Sequence, residues 1–315
     1  MPTNITPGPY QMGVLIDMTV GRKPNLFVIG ASKAGSSALH AYLDVHPAIQ
    51  MSRPKEPCFF VEREQLKRMW PVQSHDKVSY ELSAYLGIFD DHSARYHGEA
   101  SVYYSQHPHI DGVPRRIYEF NPEARIIYIV RDPVTRTIRH YWQRAKELLE
   151  SLPLDKAVVE GSIYVDTSDY KLQIDQYLKY FDRSSICVVS SEDLRNRRRE
   201  TLETILGWLN LPPVEFGESD LTDRHVSPPT SRRARFAFAR SIRDSAAWTA
   251  VRPLVPTAVR NTLARAATVT FERASIDDTA VREWLIDYFS PRVAEFETLC
   301  GRTFPGWLQN TPAQT

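Results

Sequence analysis

The sequence has few cysteines and no long apolar run in its 315 residues. The three cysteines, Cys58, Cys187 and Cys300, are odd in number and far apart, which argues against a disulfide framework. No apolar run approaches the ~20 residues that a membrane-spanning helix requires. Residues 1–23 show no basic segment followed by an apolar one, so no secretory signal is recognised. We therefore expect a soluble protein of a reducing compartment, located in the cytoplasm.

The composition is that of a globular protein, with 42% hydrophobic and 24% charged residues. These fractions exclude wholesale disorder, collagen and a coiled coil. The length fits one large α/β domain. We expect an N-terminal arm over residues 1–24, a single domain over residues 25–307 and a tail over residues 308–315.

Positive charge is concentrated in residues 224–273, although the net charge of the chain is only +1. This segment holds ten Arg, no Lys and two acidic residues, whereas the rest of the chain holds 29 basic and 36 acidic residues. Arginine suits planar anions such as phosphate, sulfate or carboxylate. A solvated helix face with arginine stems packed over apolar surface is the alternative. We interpret the segment as a helical insertion or lid, in which Phe236 and Phe238 leave open a peripheral membrane contact; no nucleic-acid recognition motif accompanies it.

Strand and helix signals alternate along the chain. Each predicted strand is a short apolar run, and the helix after the first of them has apolar residues three and four apart. The predicted strands are 25–30, 125–130 and 185–190. The predicted helices are 36–45, 133–150, 192–209, 232–267, which Pro253 and Pro256 interrupt, and 278–300, with a break or new start at Pro291. This order predicts an α/β fold: a P-loop-like parallel sheet flanked by helices, with a helical, arginine-rich C-terminal segment.

A glycine-containing loop, residues 30–37, joins the first predicted strand to the first predicted helix and is called the anion loop below. The first-turn N–H groups and the dipole of the helix make such a junction an anion site. Within the loop, Lys33 adds a mobile positive charge, and Ser36 and Ser37 add hydroxyl donors. An ordinary strand-turn-helix junction with an exposed lysine is the alternative interpretation.

The anion loop departs from the Walker pattern of nucleoside triphosphatases, G-x-x-x-x-G-K-[ST]. Gly30 and Gly35 have the spacing of the two glycines, but Ser36 stands where the lysine belongs, and the lysine lies inside the loop. Asp132, after the strand 125–130, is flanked by arginine and proline, which does not indicate a magnesium ligand. A small-molecule kinase built on a degenerate loop remains as an alternative.

A second candidate anion site, at the end of the strand 125–130, consists of Arg131, Arg136 and Arg139, with an internal ion pair as the alternative for Arg136. Ligands of open α/β sheets bind at the carboxyl ends of strands. Pro133 fits the first turn of the following helix, and positive charges crowded into that turn oppose the helix dipole unless an anion offsets them. The sequence thus predicts two anion sites, each at the end of a strand.

These segments resemble the sulfotransferases that use 3′-phosphoadenosine 5′-phosphosulfate (PAPS), in particular the branch of heparan sulfate and bacterial sulfotransferases. The anion loop is similar to the 5′-phosphosulfate loop of that family, with Ser36 and Ser37 in place of two threonines. The segment 131–141 is similar to its 3′-phosphate motif, R-D-P-x-x-R-x-x-S-x-Y, with Arg139 at the serine position. Further resemblances lie at residues 46–47, 55–60, 98–103, 191–194, 288–291 and 301–307.

The resemblance implies transfer of a sulfuryl group from PAPS to a hydroxyl or amine of a small-molecule, carbohydrate or lipid acceptor, with PAP as product and no metal. It assigns Lys33 to the leaving oxygen, Glu56 to the base and Gln143 to the acceptor or the sulfuryl group. The residues that it assigns to nucleotide binding are Lys33, Ala34, Gly35, Ser36, Ser37, Arg131, Arg139, Tyr170 and Arg273.

Several of these residues have plainer interpretations. The alternatives are a surface carboxylate paired with Lys55 for Glu56, a core residue for Tyr170, and a helix-surface histidine for His140, a further candidate near the site. We expect Glu99 and Ser101 to line the acceptor cleft or to pair with arginines. Besides the kinase, the alternative function is an inactive protein that binds a nucleotide or a membrane surface; retention of both Lys33 and Glu56 favours the enzyme.

Overall fold

The structure is a computed structural model that describes residues 23–70, 80–91, 93–217, 230–234, 251, 255, 268–272 and 277–309. The internal contacts of the chain divide it into two units. The first comprises residues 1–131 and 172–224, and the second comprises residues 132–171 and 225–315. The arm, the single domain and the tail stay predictions.

The regular elements alternate in the order that the sequence predicts. The strands are β1 (Leu26–Val28), β2 (Ile49–Met51), β3 (Tyr96–Ala100), β4 (Arg125–Val130), β5 (Ile186–Ser190), β6 (Thr230–Ala234) and β7 (Thr268–Glu272). The helices are α1 (Ser36–Leu43), α2 (Arg63–Met69), α3 (Leu82–Leu86), α4 (Val113–Phe120), α5 (Pro133–Lys146), α6 (Leu154–Ala157), α7 (Ile163–Asp166), α8 (Tyr170–Leu178), α9 (Ser191–Asn196), α10 (Arg198–Trp208) and α11 (Thr279–Cys300). The three predicted strands correspond to β1, β4 and β5, whereas β2 and β3 are additional.

Strands β1 to β5 form a parallel sheet in the first unit, in the order β2-β3-β1-β4-β5. β1 lies at the centre, with Leu26 opposite both Gly98 of β3 and Arg125 of β4. Parallel strands covered on both faces are continuous apolar runs. Accordingly, all of β1 and residues 126–130 of β4 are fully buried. The predicted fold class, a parallel α/β sheet flanked by helices, is confirmed.

An aromatic cluster anchors the segment that follows β2 to the sheet. The rings of Phe59 and Tyr85 stack with their centroids 4.1 Å apart. The ring of Phe60 contacts Phe27 of β1 edge-on, with the centroids 5.6 Å apart. All four side chains are buried, and each such burial contributes roughly 1.5–3 kcal/mol to the free energy of unfolding. The C-terminal end of the segment 55–60 is therefore fixed against β1.

In the second unit, α5 packs against α7 and α11. Asp132 begins α5 as its N-cap, where its Oδ2 accepts a hydrogen bond from the N–H of Thr135 at 2.8 Å. Its Oδ1 accepts a second bond from the N–H of Leu308 at 3.0 Å. Pro133 occupies the first turn of α5, which confirms the prediction for this residue.

The arginine-rich segment contributes two strands to the second unit. β6 and β7 pair in antiparallel fashion, with Thr230 opposite Glu272. The predicted helix over residues 232–267 is therefore wrong at its start, since residues 232–234 belong to β6. β7 reads Thr-Val-Thr-Phe-Glu, and β-branched and aromatic residues favour strands. Apart from residues 251 and 255, the rest of the predicted helix lies outside the described residues.

Two other predicted helices differ from the structure in their continuity. The segment 192–209 forms two helices, α9 and α10, which meet at Arg197. By contrast, α11 continues through Pro291, although proline removes one backbone donor from a helix. The hydroxyl of Ser290 donates to the carbonyl of Ile286 at 2.7 Å, so a side chain supplies a hydrogen bond beside the proline.

Candidate active site

The anion loop leaves β1 in a backbone conformation that favours glycine at two positions. Gly30 has a φ of 131° and Gly35 a φ of 102°, values that residues with a Cβ rarely adopt. Lys33 also has a positive φ, 68°, which is uncommon for a residue with a side chain. Gly35 is the N-cap of α1, so no side chain of the cap residue covers the first turn of this helix.

Gly30 is required for a second, steric reason. A Cβ at this position would collide with Oγ of Ser105, a residue that is buried in the segment after β3. This Oγ has no hydrogen-bond partner in the part of the chain that the structure describes. The absence of a side chain at position 30 thus allows the anion loop to approach a buried hydroxyl closely.

Arg131 is joined to the anion loop by a hydrogen bond. It follows β4, the strand beside β1, and its Nη1 donates to the carbonyl oxygen of Lys33 at 3.3 Å. The structure therefore joins the side chain of Arg131 to the backbone of the anion loop, although the sequence assigns Arg131 and Lys33 to separate anion sites. Of the other predicted residues of the loop, Ala34 and Ser36 are buried and Ser37 is half-buried.

The candidate base Glu56 lies in the loop after β2. Its Oε1 is 2.7 Å from Nζ of Lys55, and the two side chains are 22% and 21% exposed. The plainer interpretation of Glu56, a surface carboxylate paired with Lys55, is thus right about the ion pair, but the two side chains are half-buried. Glu56 and Cys58 have φ values of 62° and 51°, in the left-handed region. Such residues cost about 1–3 kcal/mol each, persist only when their surroundings hold them, and cluster at functional sites.

Lys33, Glu56 and Arg131 share one edge of the sheet. They follow β1, β2 and β4, respectively, and these strands run parallel. The carboxyl ends of parallel strands lie at the same edge, where open α/β sheets bind their ligands. Two basic residues and one acidic residue thus follow strands that end at the same edge of the sheet in the first unit.

Glu99, in β3, is a buried carboxylate and does not line an open cleft. It is 0% exposed, and it accepts hydrogen bonds from the hydroxyls of Tyr85, Ser101 and Tyr104 at 2.6, 2.8 and 2.9 Å. Burial raises the pKa of Glu99 to about 7, because the loss of solvation outweighs the three hydroxyl donors, which lower it. The expectation that Glu99 lines the acceptor cleft or pairs with arginine is therefore wrong; its described partners are hydroxyl groups.

In the second unit, Arg136 points into the interior. It is 0% exposed, and its guanidinium donates to Oγ of Ser168 at 2.6 Å and to the carbonyl of Tyr164. Nδ1 of His140 lies 3.3 Å from Nη2 of Arg136, and His140 is only 4% exposed. The interpretation of His140 as a helix-surface histidine is wrong, and the prediction that Arg136 belongs to an anion site is corrected to a role inside the second unit.

Arg139 and Gln143 also lie on α5 of the second unit and are half-buried. Nε2 of Gln143 donates to Oε1 of Glu147, one turn further along, at 3.0 Å. Arg273, which the resemblance assigns to the nucleotide, lies outside the described residues.

Tyr170 begins α8 in an aromatic environment within the second unit. It is 2% exposed, and its ring centroid lies 5.6 Å from those of both Phe296 and Trp307. These contacts are the core packing that the plainer interpretation of Tyr170 describes. Its assignment to the nucleotide stays a prediction.

Among the residues that the structure describes, no group of three or more His, Cys, Asp or Glu side chains is placed to hold a metal ion. None of the helices formed by these residues combines the length and the apolar character that crossing a bilayer requires.

A family model described as "Sulfotransferase family" matches residues 24–215, more than half of the chain. The chain belongs to the sulfotransferase family. The matched part of the chain includes the anion loop, Glu56 and Arg131.

Curated relatives are sulfotransferases with named carbohydrate acceptors. The human heparan sulfate glucosamine 3-O-sulfotransferase 5 is 27% identical over 213 residues, which cover 62% of this chain and 55% of the relative. The human carbohydrate sulfotransferase 15 is 24% identical over 273 residues, which cover 67% of this chain and 47% of the relative. The chain thus spans about half the length of the curated relatives that it matches.

A solved structure of a sulfotransferase from Alicyclobacillus acidocaldarius resembles this one with a TM-score of 0.63 at 21% identity. The match covers 91% of this chain and 100% of that chain. At this level of identity the likeness establishes the fold, a parallel α/β sheet flanked by helices.

The prediction of a cytoplasmic location is wrong. The curated relatives are heparan sulfate and carbohydrate sulfotransferases, which are not enzymes of the cytoplasm. The prediction rested on three scattered cysteines and on the lack of a recognisable secretory pattern in residues 1–23. A low cysteine count argues against a disulfide framework, but it does not identify a compartment.

Proposed function

We propose that the protein transfers a sulfuryl group from PAPS to a hydroxyl or amine of a carbohydrate, or of another small molecule or a lipid, by in-line displacement. The observation that carries the proposal is the hydrogen bond from Arg131 to the backbone of the anion loop, at the carboxyl ends of β1 and β4. Family membership supports the reaction class. The names of the curated relatives support a carbohydrate acceptor.

PAPS is a suitable donor because it carries a phosphosulfate and a separate 3′-phosphate, and so needs several anion-binding groups. The first-turn N–H groups of α1 and the ammonium of Lys33 suit the phosphosulfate. Gly30 and Gly35 allow the anion loop to adopt the positive φ values of its conformation. The resemblance to the family assigns the 3′-phosphate to Arg131 and Arg139, and a guanidinium matches phosphate geometry through paired hydrogen bonds.

Lys33 has the role of stabilising the leaving oxygen. Sulfuryl transfer resembles phosphoryl transfer, in which positioning and electrostatic stabilisation supply most of the catalysis. The carbonyl of Lys33 accepts a hydrogen bond from Arg131, which holds the backbone of Lys33 at its positive φ. A donor held in advance is worth more than one that must reorganise as charge develops.

Glu56 has the role of accepting the proton of the attacking hydroxyl or amine. It lies at the same sheet edge as Lys33, is partly shielded from water, and has a left-handed backbone that the fold must hold. A carboxylate positioned in this way is a suitable general base. Lys55 balances its charge at 2.7 Å before the acceptor arrives.

The remaining assignments rest on the resemblance to the family. Ala34, Ser36 and Ser37 complete the anion loop, and Tyr170 and Arg273 contact the nucleotide. Gln143 contacts the acceptor or the sulfuryl group, and its Oε1 is a buried acceptor with no hydrogen-bond partner among the described residues. A peripheral membrane contact through the arginine-rich segment stays a prediction, since most of that segment lies outside those residues.

The kinase alternative is disfavoured by the environment of Asp132. Both of its carboxylate oxygens accept backbone N–H groups, one from Thr135 and one from Leu308. The carboxylate that follows β4 therefore serves to begin α5, whereas a P-loop kinase needs such a carboxylate for magnesium. The position of the lysine also disfavours a kinase, because Lys33 lies inside the anion loop and Ser36 stands where the Walker pattern has its lysine.

The proposed function predicts that sulfuryl label moves from PAPS to an acceptor. The purified chain is incubated with PAPS labelled in its sulfuryl group and a panel of heparan sulfate oligosaccharides, simple sugars, phenols and lipid alcohols. We expect one class of acceptor to gain the mass of one sulfuryl group while PAP accumulates. A parallel incubation with ATP and magnesium is the control, and phosphoryl transfer there without any sulfuryl transfer would favour the kinase instead.

A further inference from the structure

Glu99 is a carboxylate buried inside the first unit, which costs free energy of folding. A buried carboxylate is costly unless hydrogen bonds compensate for the water that it loses. Three hydroxyls, those of Tyr85, Ser101 and Tyr104, donate to it, all within 2.9 Å. Two of these hydroxyls, those of Ser101 and Tyr104, also accept hydrogen bonds from backbone N–H groups of residues 58–60. These residues closely follow Glu56, and residues 56–60 are called the loop of Glu56 below.

The first connection runs through Ser101. The N–H of Cys58 donates to Oγ of Ser101 at 3.2 Å, and the hydroxyl of Ser101 donates to Oε2 of Glu99 at 2.8 Å. Cys58 is two residues from Glu56, and both have a left-handed backbone. The hydrogen bond to Ser101 therefore holds the loop beside the proposed base, at a residue whose conformation needs external support.

The second connection runs through Tyr104. The N–H of Phe60 donates to the hydroxyl oxygen of Tyr104 at 3.3 Å, and this hydroxyl donates to Oε1 of Glu99 at 2.9 Å. The carbonyl of the same residue, Phe60, accepts a bond from Nε of Arg116 at 2.7 Å. Both polar groups of the Phe60 backbone are thus held by buried side chains.

When Glu99 is ionised, the hydrogen bonds of both connections have one direction: the loop N–H groups donate to the hydroxyls, and the hydroxyls donate to Glu99. A hydroxyl has a single proton, and a carboxylate can only accept. Ser101 and Tyr104 therefore give their protons to Glu99 and keep lone pairs for the two N–H groups of the loop. A neutral amide at position 99 would offer one acceptor oxygen and an NH₂ donor, so it could not receive all three hydroxyls.

We propose that Glu99 is a positioning residue for sulfuryl transfer, which fixes the loop of Glu56 through Ser101 and Tyr104. This inference rests on the proposed role of Glu56 as the base. Glu99 acts through the two hydroxyls and does not itself touch the donor or the acceptor.

Tyr85 provides a matched control for the proposal. Its hydroxyl donates to the same Oε1 of Glu99 at 2.6 Å, whereas the N–H groups of Cys58 and Phe60 donate to Ser101 and Tyr104. Tyr85→Phe keeps the ring that stacks on Phe59 and removes one donor from the carboxylate. Ser101→Ala and Tyr104→Phe also remove one donor each, but they break a connection to the loop as well.

We expect Ser101→Ala and Tyr104→Phe to lower kcat by about 10- to 100-fold, since a small displacement of a catalytic group has an effect of this size. Their KM for PAPS and affinity for PAP should remain those of the wild type, and Tyr85→Phe should keep nearly all of its turnover. Ser101→Thr restores the hydroxyl and should recover kcat. The assays are run about one pH unit above the pKa of Glu99, so that its carboxylate is ionised.

Amide hydrogen exchange tests the connections without depending on activity. The N–H groups of Cys58 and Phe60 should exchange faster in Ser101→Ala and Tyr104→Phe, respectively, and at the wild-type rate in Tyr85→Phe. Equal losses of kcat in Tyr85→Phe and Ser101→Ala, with no local change in exchange, would overturn the proposal. Faster exchange with unchanged kcat would also overturn it, whereas a wild-type chain that transfers no sulfuryl group would refute the proposed function and not the connections.

Discussion

Replacing Glu56 by glutamine is expected to lower turnover by about 10²–10⁴, the usual contribution of a general base. Glutamine keeps the size and the hydrogen-bonding capacity of the side chain but cannot take up a proton. The affinity for PAP should change little, since the proposed role of Glu56 is toward the acceptor. Steady-state kcat at saturating PAPS, together with calorimetric titration of PAP, separates the two effects.

Glu64→Gln is the matched control for this prediction. Glu64 also carries a carboxylate paired with a lysine, Lys67 at 2.6 Å, but its side chain is 77% exposed on α2. Its replacement should leave turnover unchanged. A Glu56→Gln enzyme with near-normal turnover at saturating PAPS would show that the proton goes elsewhere. His140 is a poor substitute, because it is buried against Arg136.

Replacing Lys33 by alanine is expected to reduce both donor affinity and turnover. The ammonium is proposed to contact the transferring group before and during the reaction, so its loss affects ground and transition states together. Turnover should fall by about 10²–10³, as for the loss of one preorganised donor to a developing charge. PAPS binding should weaken by about 10- to 100-fold, the equivalent of roughly 1.5–3 kcal/mol for a bond to a charged group.

Single-turnover kinetics with rising PAPS concentration measure both quantities for Lys33→Ala. Lys67→Ala is the matched control, because Lys67 is an exposed lysine on α2 that pairs with Glu64. Its removal should affect neither quantity. An unchanged single-turnover rate in Lys33→Ala would contradict the assignment of Lys33 to the leaving oxygen.

The parts of the fold that the sequence predicts are those with a local signal. β1, β4 and β5 are apolar runs, and two of them are buried almost completely, so hydrophobicity alone identifies them. β3, with the sequence Tyr-His-Gly-Glu-Ala, is also buried, but its polar residues hide it. β2 has only three residues, too few for a periodic signal.

The residues of the candidate site likewise fall into those that the sequence predicts and those whose role only the structure shows. Lys33 and Arg131 are recognisable because each follows an apolar strand, within a motif of fixed spacing. The inward orientation of Arg136 depends on Ser168 and Tyr164, about thirty residues away along the chain. In the sequence, its position near two other arginines suggests an anion site, but in the structure its guanidinium bonds to Ser168 and Tyr164 instead. Only the tertiary structure reveals such partners.

Glu99 illustrates the same limit of local patterns. A single carboxylate in the sequence is normally exposed, and its burial depends on hydroxyls supplied from positions 85, 101 and 104. The two connections from Glu99 to the loop of Glu56 cross more than forty residues. Spacing within the sequence carries no sign of them.

The most direct test of the central claim compares the binding of PAP and AMP, because it does not require the acceptor to be known. The two nucleotides differ only in the 3′-phosphate, which we assign to Arg131 and Arg139. We predict that PAP binds about 10- to 100-fold more tightly than AMP, the equivalent of roughly 1.5–3 kcal/mol for contacts to a charged phosphate. At 100 times its Kd, PAP should stabilise the folded chain by about 2.7 kcal/mol. Equal affinities and equal shifts in Tm for PAP and AMP would contradict a PAPS site.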